Sequence, residues 1–531
     1  MSKLKHAGNA VLAVTMSLTL LVACSSNQTY SVQPSSSLGS TTAPGPGPKK
    51  EISISMFDRG TVPTEEGTYE NNRWTKWINE KSPVNVKWVP VTRSQAQPKL
   101  NALIASGEAP DLIWEYDRNY ISQLANQGVI QPIGDYINKY STTYKAYLEK
   151  HPELKPYLNV NGQTYAVSFA RDTVANHGMW IRQDWLDKLG LKTPTTAEEF
   201  LDVARKFRDG DPDGNGKADT VPISLSSSGV GILRALFFTQ ENQWYVEGGK
   251  LEYGRLLDRY ADSLAFQKQL FDEGLIDKEY ITDTNFQRSS QLLTTGKAGI
   301  YLGQWGAGSM DNAYRDLLKN VPDAKLTPLE SISTKYGKDG LYQEAPPSVF
   351  TVFNSKMKED QIKSAIQFID WMLKDGWVPL KYGEENVHYK TVDGARQTIN
   401  QDKFIKEVSY AGEYALMIDS IMTPKLIIDM AAKDEISQNY AKLKAKSLEL
   451  TMKNVYRRDI PYSPDIPELT QLIATFSPIA VQIETKVVTG GKSITAQDGL
   501  NDLRKEWKRL GGDNVDKQVQ DWYQKNKSNF K

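Results

Sequence analysis

The 531-residue chain carries 64 basic and 64 acidic side chains with no long block of either sign, which excludes a nucleic-acid or anionic-membrane partner held by bulk electrostatics. One cysteine rules out an intrachain disulfide, and four scattered histidines (His6, His151, His177, His388) give no local signature of a zinc site or a Ser-His triad. Twelve Trp and 26 Tyr leave rings beyond those a core needs, the surplus a carbohydrate binder requires to stack on sugar C–H faces.

Lys3 and Lys5 precede an apolar run from Val11 to Val22, too short for a membrane span and right for a signal peptide. It ends Leu21-Val22-Ala23-Cys24, which looks like a lipobox. The expected leader is 1–23, with Cys24 lipidated as the mature N-terminus. A tether rich in Ser, Thr, Pro and Gly follows to residue 50 and spans on the order of 30 Å. The mature protein is therefore expected to be lipid-anchored at the cell membrane, on its extracytoplasmic face.

Ile52, Ile54 and Met56 alternate with serines, and Val84, Val86 and Trp88 alternate likewise, so both read as strands. The stretch from Gln95 to Ala105 reads as a helix, Asp111 to Trp114 as a buried strand, and a second helix ends near Gly128. Strand, helix, strand in succession predicts parallel pairing, with ligands beyond the carboxyl ends of the strands. Asp58 with Arg59, and Trp114 with Glu115, fall at those ends.

From about Ala166 the pattern restarts, and Trp180 to Pro222 is its most ordered stretch. Thr196 and Glu199 have capping-box spacing, and Phe200, Val203, Ala204 and Phe207 follow at helical spacing. The helix runs into Asp211-Pro-Asp213-Gly-Asn215-Gly216-Lys217-Ala-Asp219, where oxygen-bearing groups stand at the first, third, fifth and ninth places of an EF-hand-like loop. The seventh, Lys217, offers a backbone carbonyl. The twelfth is Pro222 and Thr220 follows Asp219, so the bidentate glutamate is missing. A structural calcium held by Asp211, Asp213, Asn215, Lys217 and Asp219 is expected; the alternative is an acidic solvated turn.

Further on, Tyr260 to Phe271 reads as a helix and Ala298 to Leu302 as a strand. Trp305 follows between glycines, placed to face a ligand, with Trp244 as a lesser candidate. Ser348 to Asn354 is strand-like, Ile362, Ile366, Ile369 and Leu373 line one helix face, and the end of the chain through Leu500, Leu503 and Trp507 is helical. In Tyr382–Tyr389, adjacent Glu384 and Glu385 face opposite ways in a strand, so Glu385 and His388 read as ligand-binding or structural rather than as an acid–base pair.

The string Trp180-Ile-Arg-Gln-Asp-Trp-Leu-Asp-Lys-Leu-Gly-Leu, the 211–219 loop, Ser106-Gly-Glu-Ala-Pro-Asp111, Glu273-Gly-Leu-Ile-Asp277, Gly296-Lys-Ala-Gly-Ile300 and Tyr382-Gly-Glu-Glu-Asn-Val-His-Tyr389 follow one another in an order that resembles the family 1 extracellular solute-binding proteins. Within them the chain is similar to the large calcium-loop branch that includes alginate-oligosaccharide binders. The resemblance implies an α/β, two-lobe, periplasmic-binding-protein-like fold with a hinge and a ligand cleft between lobes. It puts 51–166 plus 329–380 in the first lobe, and 167–328 plus 381–531 in the second. It also implies a monomeric lipoprotein that captures an oligosaccharide and delivers it to the membrane permease of an ABC transporter, performing no reaction. Alternatives are a surface-tethered glycoside hydrolase or lyase, which needs two carboxylates across a cleft, and a peptide or small-solute binder or sensor subunit.

Overall fold

In the computed structural model the described residues are 48–306 and 311–530. The leader, the lipobox with Cys24 and nearly all of the tether lie outside them.

Two separate sheets organise the chain. The first has five strands in the order Asn85–Thr92, Glu51–Asp58, Leu112–Glu115, Pro347–Phe353, Ala166–Ala170. The three strands nearest the start of the chain pair in parallel, as their helix-separated alternation predicts. Pro347–Phe353 runs antiparallel to both of its neighbours. Ala166–Ala170 is therefore parallel to Leu112–Glu115, and the carboxyl ends of four strands share one edge. The helix Glu359–Trp371 buries Ile362, Ile366 and Ile369 in the core of this sheet.

The second sheet has four strands in the order Leu326–Leu329, His177–Arg182, Ala298–Gln304, Val221–Leu225. Against it packs Ala197–Asp209, whose cap departs from the expected reciprocal box. Thr196 Oγ1 accepts the Glu199 N–H, but the Glu199 carboxylate accepts from Thr195 N and Oγ1 instead. A third core joins Trp244, Tyr253 and Tyr260 to the helices Pro467–Thr489 and Ala496–Arg509 through Leu500, Leu503 and Trp507. This is the two-lobe, mixed α/β architecture.

Three segments depart from the expected division. Residues 329–341 stay with the second sheet's core through Leu329, Ile332 and Leu341. Residues 167–170 stay with the first sheet. Val408, Tyr410, Tyr414 and Met417 pack into the first core, so the chain leaves that lobe near residue 418 and not at 381. The apolar periodicity of these short helical turns is too brief to assign from sequence.

The chain passes between the sheets side by side with itself. Arg171 N donates to Pro346 O, Glu344 N to Val174 O and His177 N to Tyr342 O, so 171–177 and 342–346 form an irregular antiparallel ribbon. Met422 N donates to Asp172 O and adds a third crossing.

Candidate functional site

A cavity of about 250 Å³ opens at the carboxyl edge of the first sheet, next to the crossing segments. Trp114, Tyr116 and Phe169 supply its rings; Arg171, Asp172, Lys381 and Glu413 supply its charges. The rings are there because three strands end together. Trp114 and Phe57 are each the last but one residue of neighbouring strands, and the two stack at 6.0 Å. Tyr116 stacks on the same Phe57 at 5.4 Å.

The charges are paired within the chain. Lys381 Nζ lies 3.1 Å from Asp172 Oδ2 and donates to Ser420 Oγ. Arg59 Nε lies 2.9 Å from Glu413 Oε1 and its Nη2 reaches the Tyr116 hydroxyl at 3.4 Å. Burial pushes the Glu413 carboxyl above its ordinary range, with Arg59 opposing the shift. Arg171 reaches Glu344 at 3.8 Å, and Asn176 Nδ2 donates to the same carboxylate at 2.6 Å. Arg93 lies 4.5 Å from the Phe57 ring and 4.8 Å from Tyr116.

The structure sorts the candidate residues. Trp114 lines this cavity, and Arg59 stands at its rim through Glu413 and the Tyr116 hydroxyl. Trp114 is only 4% exposed, and its indole N–H has no partner among the described residues, so it is a wall and not an open platform. Asp58 turns back to accept the Gly60 N–H at 2.8 Å, shaping the turn that presents Arg59. Glu115 is a correction. Adjacent strand residues face opposite sides, and Glu115, 2% exposed, accepts the N–H groups of Tyr116 and Asp117. Burial raises its carboxyl, and it holds the turn that carries Tyr116. Tyr116 itself went unnoticed; the signal for it was Trp-Glu-Tyr, two rings either side of a carboxylate at a strand end.

Trp305 sits on the second lobe, just past Ala298–Gln304. Its N–H donates to Asn176 O at 3.0 Å and its carbonyl accepts from Ser447 Oγ. A side chain on Gly178 would collide with its backbone, so glycine is required there. The indole packs against the small cluster that includes Ala175, Ile427 and Ala441, with Lys444 Nζ 5.4 Å from the ring. It makes no ring contact with Trp114 among the described residues.

Two candidates leave the site. Trp244 is 2% exposed and packs on Tyr253 at 5.2 Å inside the helical core, with no face for a ligand. Glu385 is exposed and accepts from Thr391 Oγ1 at 2.6 Å in the Tyr389–Thr398 hairpin. His388 beside it commits both ring nitrogens: Nδ1 accepts from Glu384 N, and Nε2 meets Glu407 at 3.0 Å.

The 211–219 loop is held by its own atoms. Asn215 N and Gly216 N donate to the two oxygens of Asp211, and Asn215 Nδ2 donates to Asp213 and Asp219. Lys297 Nζ stands 2.7 Å from Asp219 and 3.3 Å from Asp213. That ammonium holds the Asp219 carboxyl below its usual range and is itself raised by the pair. Lys188 Nζ donates to the carbonyls of Asp211 and Pro212. The side chains are hard oxygen donors of the kind calcium takes. Their arrangement is that of an ammonium-bridged loop, and no group of three or more His, Cys, Asp or Glu is set to hold a metal among the described residues.

Known proteins place this architecture. LipO, a lipoprotein of Bacillus subtilis (strain 168), is 26% identical over 464 residues, covering 84% of this chain and 87% of LipO. FusA, a fructooligosaccharide ABC transporter substrate-binding protein of Streptococcus pneumoniae, is 30% identical over 295 residues, 52% of this chain and 54% of FusA. The structure of FusA in complex with kestose superposes with a TM-score of 0.68 over 90% of this chain and all of that one, at 19% identity. That of the alginate-binding protein AlgQ2 without calcium ion gives 0.66 over 90% and 98%, also at 19%. The family model for bacterial extracellular solute-binding proteins matches residues 64–379, well over half of the sequence, and the chain belongs to that family.

Proposed function

We propose that the chain is the capturing subunit of a carbohydrate ABC importer. An oligosaccharide enters between the lobes, the lobes close on it about the crossing segments, and the loaded protein hands it to a membrane permease. The observation that carries this reading is the cavity at the carboxyl edge of the first sheet. Rings for sugar faces and paired charges for hydroxyl edges meet there beside the crossings. FusA, described as a fructooligosaccharide substrate-binding protein, agrees with it and with a role that involves no reaction.

Trp114, Tyr116 and Arg59 form one wall in this reading and Trp305 the other. Asp58 and Glu115 shape the first wall from behind. Cys24 carries the lipid that keeps the protein at the outer face of the membrane, as a monomer. When calcium is present it would be held by Asp211, Asp213, Asn215, the Lys217 carbonyl and Asp219, in competition with the Lys297 ammonium. The metal would fix the junction between Ala197–Asp209 and the second sheet and take no part in binding sugar.

The test is a thermal-shift screen of soluble glycans, peptides and amino acids. A rise in melting temperature with an oligosaccharide, by mass action of about 2.7 kcal/mol at a hundredfold excess over Kd, supports the reading. A rise with peptides alone overturns it.

A further inference from the structure

We infer that the glycan this cleft accepts is uncharged, because three of the four cations at the cavity and its rim already have a carboxylate of this chain facing them, and the fourth, Arg93, lies over two rings. The inference rests on the carbohydrate reading above and narrows it to a substrate class.

The cavity and its rim contain Arg59, Arg93, Arg171 and Lys381. Asp172 faces Lys381, Glu413 faces Arg59, and Glu344 faces Arg171. The Arg93 guanidinium spreads on the Phe57 and Tyr116 rings and adds its charge to the field at Glu413. Anionic sugars such as uronates are held by cations free to meet a carboxylate, usually a fork of guanidinium N–H groups. At Arg59, Arg171 and Lys381 a uronate must bring a further negative charge up to a filled pair or displace the internal partner, and at Arg93 it must draw the guanidinium off the two rings.

Displacement is costly at Glu413. Its side chain is only 20% exposed, and burial already works against its charge. Losing Arg59 to a ligand leaves a covered carboxylate with nothing opposite it, the expensive half of a broken ion pair. Hydroxyl groups ask for no such exchange. A sugar diol donates to the free lone pairs of Asp172 or Glu413 and accepts from the outer N–H groups of Lys381 or Arg59 while both pairs stay closed. The crossing segments add to the argument. Asp172 and Glu344 lie on 171–177 and 342–346, so one pair closes across the ribbon and the other holds it to the first lobe, and an anion competing for Lys381 or Arg171 would loosen that ribbon.

The experiment is calorimetric titration of the full chain at low and high salt. One set of ligands is neutral gluco-, fructo- and galacto-oligosaccharides with methyl-esterified oligogalacturonate; the other is free oligogalacturonate and oligoalginate. The expected result is binding of a neutral glycan with affinity nearly independent of salt, and every free uronate at least about tenfold weaker. Glu413→Gln removes one internal carboxylate and leaves Arg59 open. It should raise uronate affinity about tenfold and make it fall with salt. A free uronate that binds more tightly than all neutral glycans, with strong salt dependence, overturns the inference and leaves the carbohydrate reading standing. So does a Glu413→Gln variant with no gain toward uronates. Silence toward both sets overturns the carbohydrate reading, and this inference with it.

Discussion

Trp305→Ala separates a ligand platform from a plug over the sheet end, and the structure sets the size of both effects. The indole is partly buried against the cluster that includes Ala175 and Ile427, so up to about 150 Å² of ring leaves contact on truncation. At about 25 cal/mol per Å² that is about 2–4 kcal/mol of fold stability, with a fraction of a kcal/mol more from Lys444 over the ring. The backbone should keep its place, because Asn176 O and Ser447 Oγ hold the Trp305 peptide groups irrespective of the side chain. Glycan affinity should fall separately, by about 1–3 kcal/mol or five- to a hundredfold, by analogy with ring stacking on bases. Thermal melts measure the first and calorimetry the second. Trp305→Phe keeps a ring and should recover most of the affinity while still melting early. A folded Trp305→Ala protein that binds its glycan as tightly as wild type refutes the placement of this residue in the cleft.

Four further outcomes are expected. Chelator should lower the melting temperature and Asp213→Ala should remove that sensitivity. Lys297→Met should increase it by removing the ammonium that stands between Asp213 and Asp219; an unchanged melt in chelator for all three proteins contradicts the calcium reading. Glu484 accepts the Tyr260 hydroxyl and lies within an ion-pair distance of both Arg234 and Arg255, all buried, so Glu484→Ala should cost about 3–5 kcal/mol in denaturant unfolding by leaving Arg255 covered and unpaired and Arg234 with Glu241 alone. Burial holds His177 down to about 4. A depressed folded-state value means its contribution is present above the unfolded value near 6.5 and lost as pH falls toward 4, so wild type should lose up to about 3 kcal/mol relative to His177→Gln over that window in pH-dependent melts. In cells, Cys24→Ala should release the protein or leave it unprocessed, and acylated variant at the membrane would contradict the anchor.

The sequence was most informative where periodicity is long. The paired parallel strands, the helix Glu359–Trp371 with its isoleucine face and the C-terminal helices are where their apolar spacing predicts them. Site residues were harder to read, because a strand-end ring can be a wall, a platform or core depending on what packs over it. Trp114, Trp244 and Trp305 each stand at or beside the terminus of a strand and meet three different surroundings. Pairing partners were the least visible. Glu413 lies over 350 positions from Arg59, and only the fold puts the short turns 408–418 on the first core and brings them together. Lys297 is the same kind of case: it reaches the 211–219 loop because Ala298–Gln304 pairs beside Val221–Leu225.

The account depends most on a sugar being held between the two lobes. Photo-crosslinking with a diazirine-bearing derivative of whichever neutral oligosaccharide raises the melting temperature, read by peptide mass spectrometry, tests that directly. Adducts should fall on both walls, at the Trp114–Tyr116 or Phe169 peptides of the first lobe and at the Trp305 peptide of the second, and unlabelled glycan should compete them away. Adducts confined to one lobe, or spread over the outer surface without competition, would contradict it.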